Sequence, residues 1–438
     1  MSKRNVLLLS YELNKNAQRG IYQFSKALVD GINANNYNLG FFTQVYSVQN
    51  GLDEINRCLI DPRKYFLNEN SMSKLLLHYL KNKVVPEDFS ITPNDNFNCD
   101  ILIDVPFLKK INFFINKPVF YYENNMDLIF PHPFYEKNIE LAECSNNDII
   151  FTTSPLAIKS SKHRVVQTVH DLIPLEEKNK FYKYFLKRLS SCNGADKVLA
   201  VSNYSKNKFL EIFPKMEDRT HVVYQPLPVD ENIILLSLIP EIQNKVLDKY
   251  KLKPKQYMYY VGVVEKRKNI HNLIKAYINA TKFDKNIPLV ISGSLDSDYV
   301  DEYNIREYFS DVNNYNLSKF NILKTDFVTD LEKLCLIRNS RAFLFPSLSE
   351  GFGIPVLEAQ SLGVPVLTSN NTSLPEVTYK SALMLDNPLN IEEIKTNIEN
   401  LWADEKLCLF LSKLGLENSK RFTKDQFRKS IGDFLMDL

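Results

Sequence analysis

The stretch Phe345-Pro346-Ser347-Leu348-Ser349-Glu350-Gly351-Phe352-Gly353-Ile354-Pro355-Val356-Leu357-Glu358-Ala359 decides how this chain is read. An apolar run ends at Phe345, a loop with two glycines follows, and Pro355 falls where a first helical turn tolerates a residue without an N–H. The order is strand, tight loop, helix. Amides exposed at a helix start attract anions and polar oxygens. Glu350 lies in the loop and Glu358 one turn inside the helix, so both carboxylates can face one ligand at the strand end. The structural alternative makes Gly351 and Gly353 turn residues and Glu358 an early-helix acid favoured by the helix dipole.

Working outward, the same alternation fills the chain. In the second half, 257–262, 288–293, 321–323, 342–347, 365–370 and 382–386 read as strands, with helices at 269–281, 331–338 and 355–362. In the first half, strands are expected at 5–10, 39–47, 101–105, 119–123, 165–171, 197–202 and 221–227, with helices at 21–33, 73–82, 178–191 and 204–213. Strands alternating with helices argue for parallel α/β layers. Two successive doubly wound sheets are more economical than one very large sheet, so the expected fold is α/β with two Rossmann-like domains facing a cleft. The Gln225-Pro226-Leu227-Pro228 run is a natural linker. It sets the expected domains at 1–228 and 229–415, with residues 416–438 forming a C-terminal helix that packs back toward the first domain. Residues 391–438 carry no strand signal and read as two or three helices. In open parallel sheets, ligands bind outside the carboxyl ends of the strands.

A second segment repeats the strand-to-loop pattern: Tyr259-Tyr260-Val261-Gly262-Val263-Val264-Glu265-Lys266-Arg267-Lys268-Asn269-Ile270. A strand ends at Gly262, and three cations precede a helix for which Asn269 is the expected N-cap. A departing diphosphate needs its growing negative charge stabilised, which Arg, Lys and a helix N-terminus supply. A solvated basic turn is the alternative.

Taken together these segments resemble the family 4 glycosyltransferases, in particular the mannosyltransferase-like branch. The spacing from Glu350 to Glu358 matches the family's E-x7-E signature. Gly363-Val364-Pro365-Val366, Ser373-Leu374-Pro375-Glu376, Val169-His170-Asp171-Leu172-Ile173-Pro174 and Val201-Ser202-Asn203-Tyr204-Ser205-Lys206 also look like that family. The resemblance covers most of 165–386 and is thin before it. It implies the GT-B fold and retaining transfer of a hexose from a nucleoside diphosphate. Glu358 would hold the ribose hydroxyls, while Glu350 with Gly351, Phe352 and Gly353 would contact the sugar and phosphates. Arg267 and Lys268 would clamp the diphosphate beside Gly262. His170 would face the transferred sugar, and the turn at Ser202 would line the cleft. Read without the family, His170 is a structural strand-end histidine and Ser202 a helix N-cap. Two departures stand out. Val263 and Val264 occupy positions where the family often carries Arg. The family's Gly-Gly before its first helix is here Gln18-Arg19-Gly20-Ile21, so only Gly20 matches.

The composition fits this expectation. Over 438 residues the formal net charge is +2, which gives no electrostatic argument for a nucleic-acid partner. The six cysteines are far apart with no CxxC pair, so they read as free thiols in a reducing compartment. The Val6–Leu9 run is too short for a signal peptide, and no apolar stretch approaches the roughly 20 residues that span a bilayer. A cytoplasmic protein is expected. The aromatic, basic segment 181–188 leaves open a peripheral contact with the inner membrane, alongside simple packing. Asp296-Ser297-Asp298 could be a metal-binding DxD pair, but a solvated loop is the preferred reading. No metal and no cofactor are expected beyond the nucleotide sugar, GDP- or UDP-linked. The acceptor would be a saccharide or lipid-linked saccharide of bacterial surface polysaccharide synthesis (O-antigen, capsule or exopolysaccharide). A GT-B sugar-nucleotide epimerase or a non-catalytic sugar-nucleotide-binding subunit are the alternatives.

Overall fold

The computed structural model describes residues 3–14, 20–43, 90–93, 106–116, 137–141, 144–177, 182–280, 287–311, 320–325 and 327–438. The strands expected at 101–105 and 119–123, the helix expected at 73–82, and Arg19 lie outside these residues. The chain divides into two compact units, residues 1–226 with 424–438, and residues 227–423.

The first unit is built on an eight-stranded sheet. Its strands are β1 (Asn5–Leu9), β2 (Asn38–Thr43), β3 (Ser90–Pro93), β4 (Phe113–Asn116), β6 (Ile149–Thr152), β8 (Arg164–Val169), β9 (Lys197–Ala200) and β10 (Thr220–Val222), in the order β10-β9-β8-β6-β1-β2-β4-β3. The short strands β5 (Lys137–Asn138) and β7 (Ile158–Lys159) form a separate pair. All ladder pairs of the large sheet are parallel except β3 on β4. The central strands are buried on both faces: Val6 to Leu9 and Ile149 to Phe151 show no exposure. This explains why they read as continuous apolar runs rather than alternating ones. Helix α1 (Gly20–Ala34) buries Tyr22, Phe24, Leu28, Val29 and Ile32. Helices α2 (Tyr182–Ser190) and α3 (Asn203–Ile212) follow later in the unit.

The second unit contains helix α4 (Pro240–Lys249) and a seven-stranded, wholly parallel sheet. Its strands are β11 (Met258–Val261), β12 (Leu289–Ser292), β13 (Phe309–Asp311), β14 (Ile322–Thr325), β15 (Ala342–Phe345), β16 (Val366–Ser369) and β17 (Leu383–Leu385), in the order β13-β14-β12-β11-β15-β16-β17. Helices α5 (Ile270–Asn279), α6 (Asp330–Asn339) and α7 (Ile354–Ser361) alternate with them. Then come α8 (Ile391–Ala403) and α9 (Glu405–Ser419). The final helix, α10 (Lys424–Met436), belongs to the first unit, whereas residues 416–423 belong to the second. It lies against α1 through small residues. A Cβ on Gly31 would stand 3.2 Å from Ile431 Cγ1, and the Asn35 amide donates to the Arg428 carbonyl at 2.8 Å. Cys144, Cys192, Cys335 and Cys408 are buried; Cys58 and Cys99 lie outside the described residues.

In each large sheet the chain lays strands on one side of its first strand and then crosses to the other side. In the first unit the switch lies between β1 and β6, and in the second between β11 and β15. Such switch points open the crevice in which α/β proteins bind ligands.

Candidate functional site

At the switch point of the second unit, the loops after β11 and β15 meet. Gly262 follows β11 with φ +152°, and a Cβ there would stand 2.7 Å from the Tyr260 hydroxyl oxygen. Its backbone is backed by Gly293, where a Cβ would lie 2.1 Å from the Gly262 carbonyl oxygen. Only glycine permits so close an approach. The chain then makes a short 3-10 turn, Lys266–Lys268, that presents Arg267 and Lys268.

The β15 loop carries Glu350 to the same place. Lys268 Nζ donates to Glu350 Oε1 at 2.5 Å, and Arg267 Nη1 lies 3.2 Å from Glu350 Oε2. Arg267 also donates to the Ser349 carbonyl at 2.6 Å and to Glu265 Oε1 at 2.6 Å. The Lys268 ammonium stands 4.9 Å from the centre of the Phe345 ring. Lys268 and Glu350 are almost completely buried. Burial pushes the Glu350 carboxyl up, but Lys268 and then Arg267 outweigh it and hold the group below the usual carboxylate range. The formal charges of two cations and two carboxylates, Glu265 and Glu350, thus cancel.

The glycine loop is latched by the segment before the next helix. Ser373 Oγ donates to the Glu350 and Phe352 carbonyls at 2.9 and 3.0 Å, Asn371 Nδ2 donates to the Leu348 carbonyl at 3.0 Å, and the Glu350 amide donates to Thr372 Oγ1 at 3.2 Å. Gly353 takes φ +108° at the start of α7. This left-handed turn lets the helix begin directly under the strand end. The Phe352 ring is buried edge-to-face against Phe422 at 5.7 Å, so a ligand there would meet the backbone rather than the ring.

One turn along α7, Glu358 is buried and paired with Lys333 of α6 at 2.7 Å; Lys333 also reaches Asp330 at 3.1 Å. Burial raises the Glu358 carboxyl above its ordinary value, with Lys333 opposing. Lys333 is held above the ordinary lysine value because Glu358 and Asp330 outweigh its burial. Sequence reasoning missed Lys333 and Glu265. Lys333 comes from a helix 25 residues earlier, and nothing local in the sequence distinguishes it from a surface lysine.

Of the expected residues, Arg267, Lys268, Glu350, Gly262, Gly351 and Gly353 thus lie in the loops that meet at one switch point, with Glu358 on the helix that follows. Phe352 lies in the same β15 loop, and His170, Ser202 and Gly20 belong to the first unit. His170 follows β8 and is buried; its Nε2 lies 2.8 Å from the Thr153 carbonyl oxygen, and its ring packs edge-on to Phe24 at 4.8 Å. Burial lowers its pKa to about 4, opposed by the hydrogen bond to Thr153, so it is neutral at pH 7. Ser202 caps α3, accepting from the Ser205 amide at 3.0 Å, and its hydroxyl is fully buried. Its side chain serves as the helix cap. Gly20 starts α1, with open space where a Cβ would be.

Two further expectations are corrected. Asn269 does not cap α5 with its side chain. It is left-handed, at φ +59°, and its amide donates to the Pro388 carbonyl, because the chain enters α5 directly from the 3-10 turn. Asp296 is not a free loop acid: it N-caps the helix Ser297–Glu302 by accepting from the Tyr299 amide at 3.1 Å. Among the described residues no group of three His, Cys, Asp or Glu side chains is placed to hold a metal ion.

Comparison with known proteins places the chain in a wider group. Residues 243–416 match the family model "Glycosyl transferases group 1", and residues 104–231 match "Glycosyltransferase Family 4". The chain is 32% identical over 271 residues to the O-antigen chain mannosyltransferase B of Escherichia coli, covering 59% of this chain and 67% of that protein. It is 30% identical over 267 residues to the serotype-specific mannosyltransferase WbdA of Escherichia coli, covering 59% of this chain and 32% of WbdA. The chain therefore spans about a third of the length of the curated WbdA relatives it matches. Among solved structures, Anabaena HepE, crystallised with UDP and glucose, superposes with a TM-score of 0.60 at 16% identity and full coverage of both chains. At that identity the likeness concerns the fold alone.

Proposed function

The chain belongs to the family 4 glycosyltransferases, and on that premise we propose that it moves a hexose, in the first instance mannose, from a nucleoside diphosphate to a saccharide hydroxyl with retention of configuration. The observation that carries this reading is the meeting of Arg267, Lys268 and Glu350 at the switch point of the second unit. A GDP- or UDP-linked donor would place its diphosphate on Arg267, Lys268 and the amides at the start of α7, and its ribose diol on Glu358. Charge develops on the leaving phosphate oxygen as the anomeric C–O bond breaks, and preorganised cations in a dry pocket stabilise that charge best. The new bond forms from the acceptor oxygen on the same face of the sugar, and the acceptor proton passes to the departing phosphate.

The mannosyltransferase relatives support mannose and surface-polysaccharide synthesis as the setting. A lipid-linked acceptor at the cytoplasmic face of an anionic membrane suits the outward side of α2, where Tyr182, Lys183, Leu186 and Lys187 are exposed. No helix among the described residues is long and apolar enough to cross a membrane. The clamp asks for no metal.

The test is a thermal-shift screen of GDP-, UDP- and dTDP-sugars, since a ligand that binds only the folded state raises its stability. Hexose transfer from the stabilising donor to a mannoside, in EDTA, follows. Absence of any stabilising donor overturns the proposal.

A further inference from the structure

The switch point of the first unit has its own constellation. Glu12 follows β1, Thr153 follows β6 and His170 follows β8, and these are three adjacent parallel strands. Thr153 ties the other two together. Its hydroxyl donates to Glu12 Oε2 at 3.3 Å, and its carbonyl oxygen lies 2.8 Å from His170 Nε2. The same hydroxyl has the Leu9 carbonyl in range at 3.4 Å. One hydroxyl proton shared at long distance between two acceptors leaves the Glu12 carboxylate most of its acceptor capacity. The contact to the Thr153 carbonyl requires a proton on Nε2 of the neutral His170, so its Nδ1 is an acceptor as well.

Glu12 is half-buried, and burial raises its carboxyl pKa, with its own backbone hydrogen bond and then the Arg188 charge opposing. Arg188 itself donates to the Pro155 carbonyl at 2.8 Å and makes no close ion pair with Glu12 among the described residues. The set contrasts with that of the second unit. There, two cations suit a diphosphate. Here, among the described residues, a carboxylate, a neutral imidazole and a threonine offer acceptors to hydroxyl donors and no cationic pair to an anion.

We propose that Glu12, held by Thr153 beside His170 at the β1–β6 switch point, binds ring hydroxyls of a pyranoside acceptor. This rests on the glycosyltransferase reading given above and extends it to a residue for which no role has been assigned. Glu12 takes hydrogen bonds from one or two acceptor hydroxyls. Thr153 sets its orientation, and the nucleotide site of the second unit is independent of it.

The experiment uses the full chain and two variants, Glu12→Gln and Glu350→Gln. Each is titrated with methyl α-D-mannopyranoside by saturation-transfer NMR, and with UDP and GDP by calorimetry. We expect wild type and Glu350→Gln to bind the mannoside and Glu12→Gln to bind it at least tenfold more weakly. The melting temperature and nucleotide affinity of Glu12→Gln should match wild type. Equal mannoside binding by wild type and Glu12→Gln, or no mannoside binding by wild type, overturns the assignment. Failure of wild type to bind either nucleotide overturns the glycosyltransferase reading instead, and the two failures are read from separate titrations.

Discussion

Lys268 Nζ and Glu350 Oε1 stand 2.5 Å apart, so the cation that would receive a diphosphate is already occupied by a buried carboxylate. The Arg267 guanidinium is divided in the same way between Glu350 and Glu265. A donor diphosphate that engages this clamp competes with the carboxylates for the charge of the two cations. The pairing compensates the buried Lys268 and the half-buried Arg267, since an uncompensated buried charge is expensive.

This competition gives Glu350→Gln an unusual signature. Removing one partner of a buried pair costs roughly 3–5 kcal/mol, so the ligand-free variant should melt well below wild type. Its affinity for free UDP or GDP should rise about tenfold, or ~1.4 kcal/mol, because phosphate no longer competes with the carboxylate. Paired melting curves and titrations check this. Equal or weaker nucleotide binding would remove the competition from the account.

Glu358→Gln should weaken nucleotide binding by about 1.5–3 kcal/mol, the value of a charge-assisted hydrogen bond. The loss should depend on the ribose hydroxyls. Wild type should prefer a nucleoside diphosphate over its 2′,3′-dideoxy analogue, and the variant should bind both alike. If the variant keeps the wild-type preference, Glu358 only neutralises Lys333.

Much of the second unit was legible in its sequence, because its strands are short apolar runs, each closed by a glycine or a polar loop. Expected and observed ends of β11, β12, β15, β16 and β17 agree within two residues. β13 was missed because Phe309-Ser310-Asp311 offers one apolar residue. The expected meeting of Glu350 with Arg267 and Lys268 followed from motif resemblance. Their mutual neutralisation did not, because the sequence shows charges but not which of them lose water together. In the first unit, β6 passed unnoticed between turn residues. Thr153, and with it the Glu12–His170 link, therefore had no strand end to sit on. Asn269 was misread for a related reason: a residue with a good capping side chain was placed by its backbone in the left-handed region.

His170 predicts a pH dependence of stability. In the unfolded chain it binds a proton near its ordinary pKa of 6.5, whereas burial delays that protonation in the folded chain to about 4. Below pH 6.5 the unfolded state therefore binds more protons, and stability falls as pH drops through this window. The contribution is present in full above pH 6.5 and lost by about pH 4, amounting to about 3 kcal/mol. His170→Gln should flatten the stability profile between pH 7 and 4 by that amount in denaturant titrations. An unchanged slope would mean that the imidazole titrates normally.

The central claim is that the second unit binds a nucleoside diphosphate through Arg267 and Lys268, and the most direct measurement compares diphosphate with nucleoside. Wild type and Lys268→Ala are titrated calorimetrically with UDP, uridine, GDP and guanosine. The account predicts that wild type binds one of the two diphosphates at least about 100-fold more tightly than its nucleoside, ~2.7 kcal/mol. Lys268→Ala should lose most of that difference and leave the nucleoside affinity unchanged. Equal binding of diphosphate and nucleoside by wild type, or a full diphosphate preference in Lys268→Ala, would contradict it.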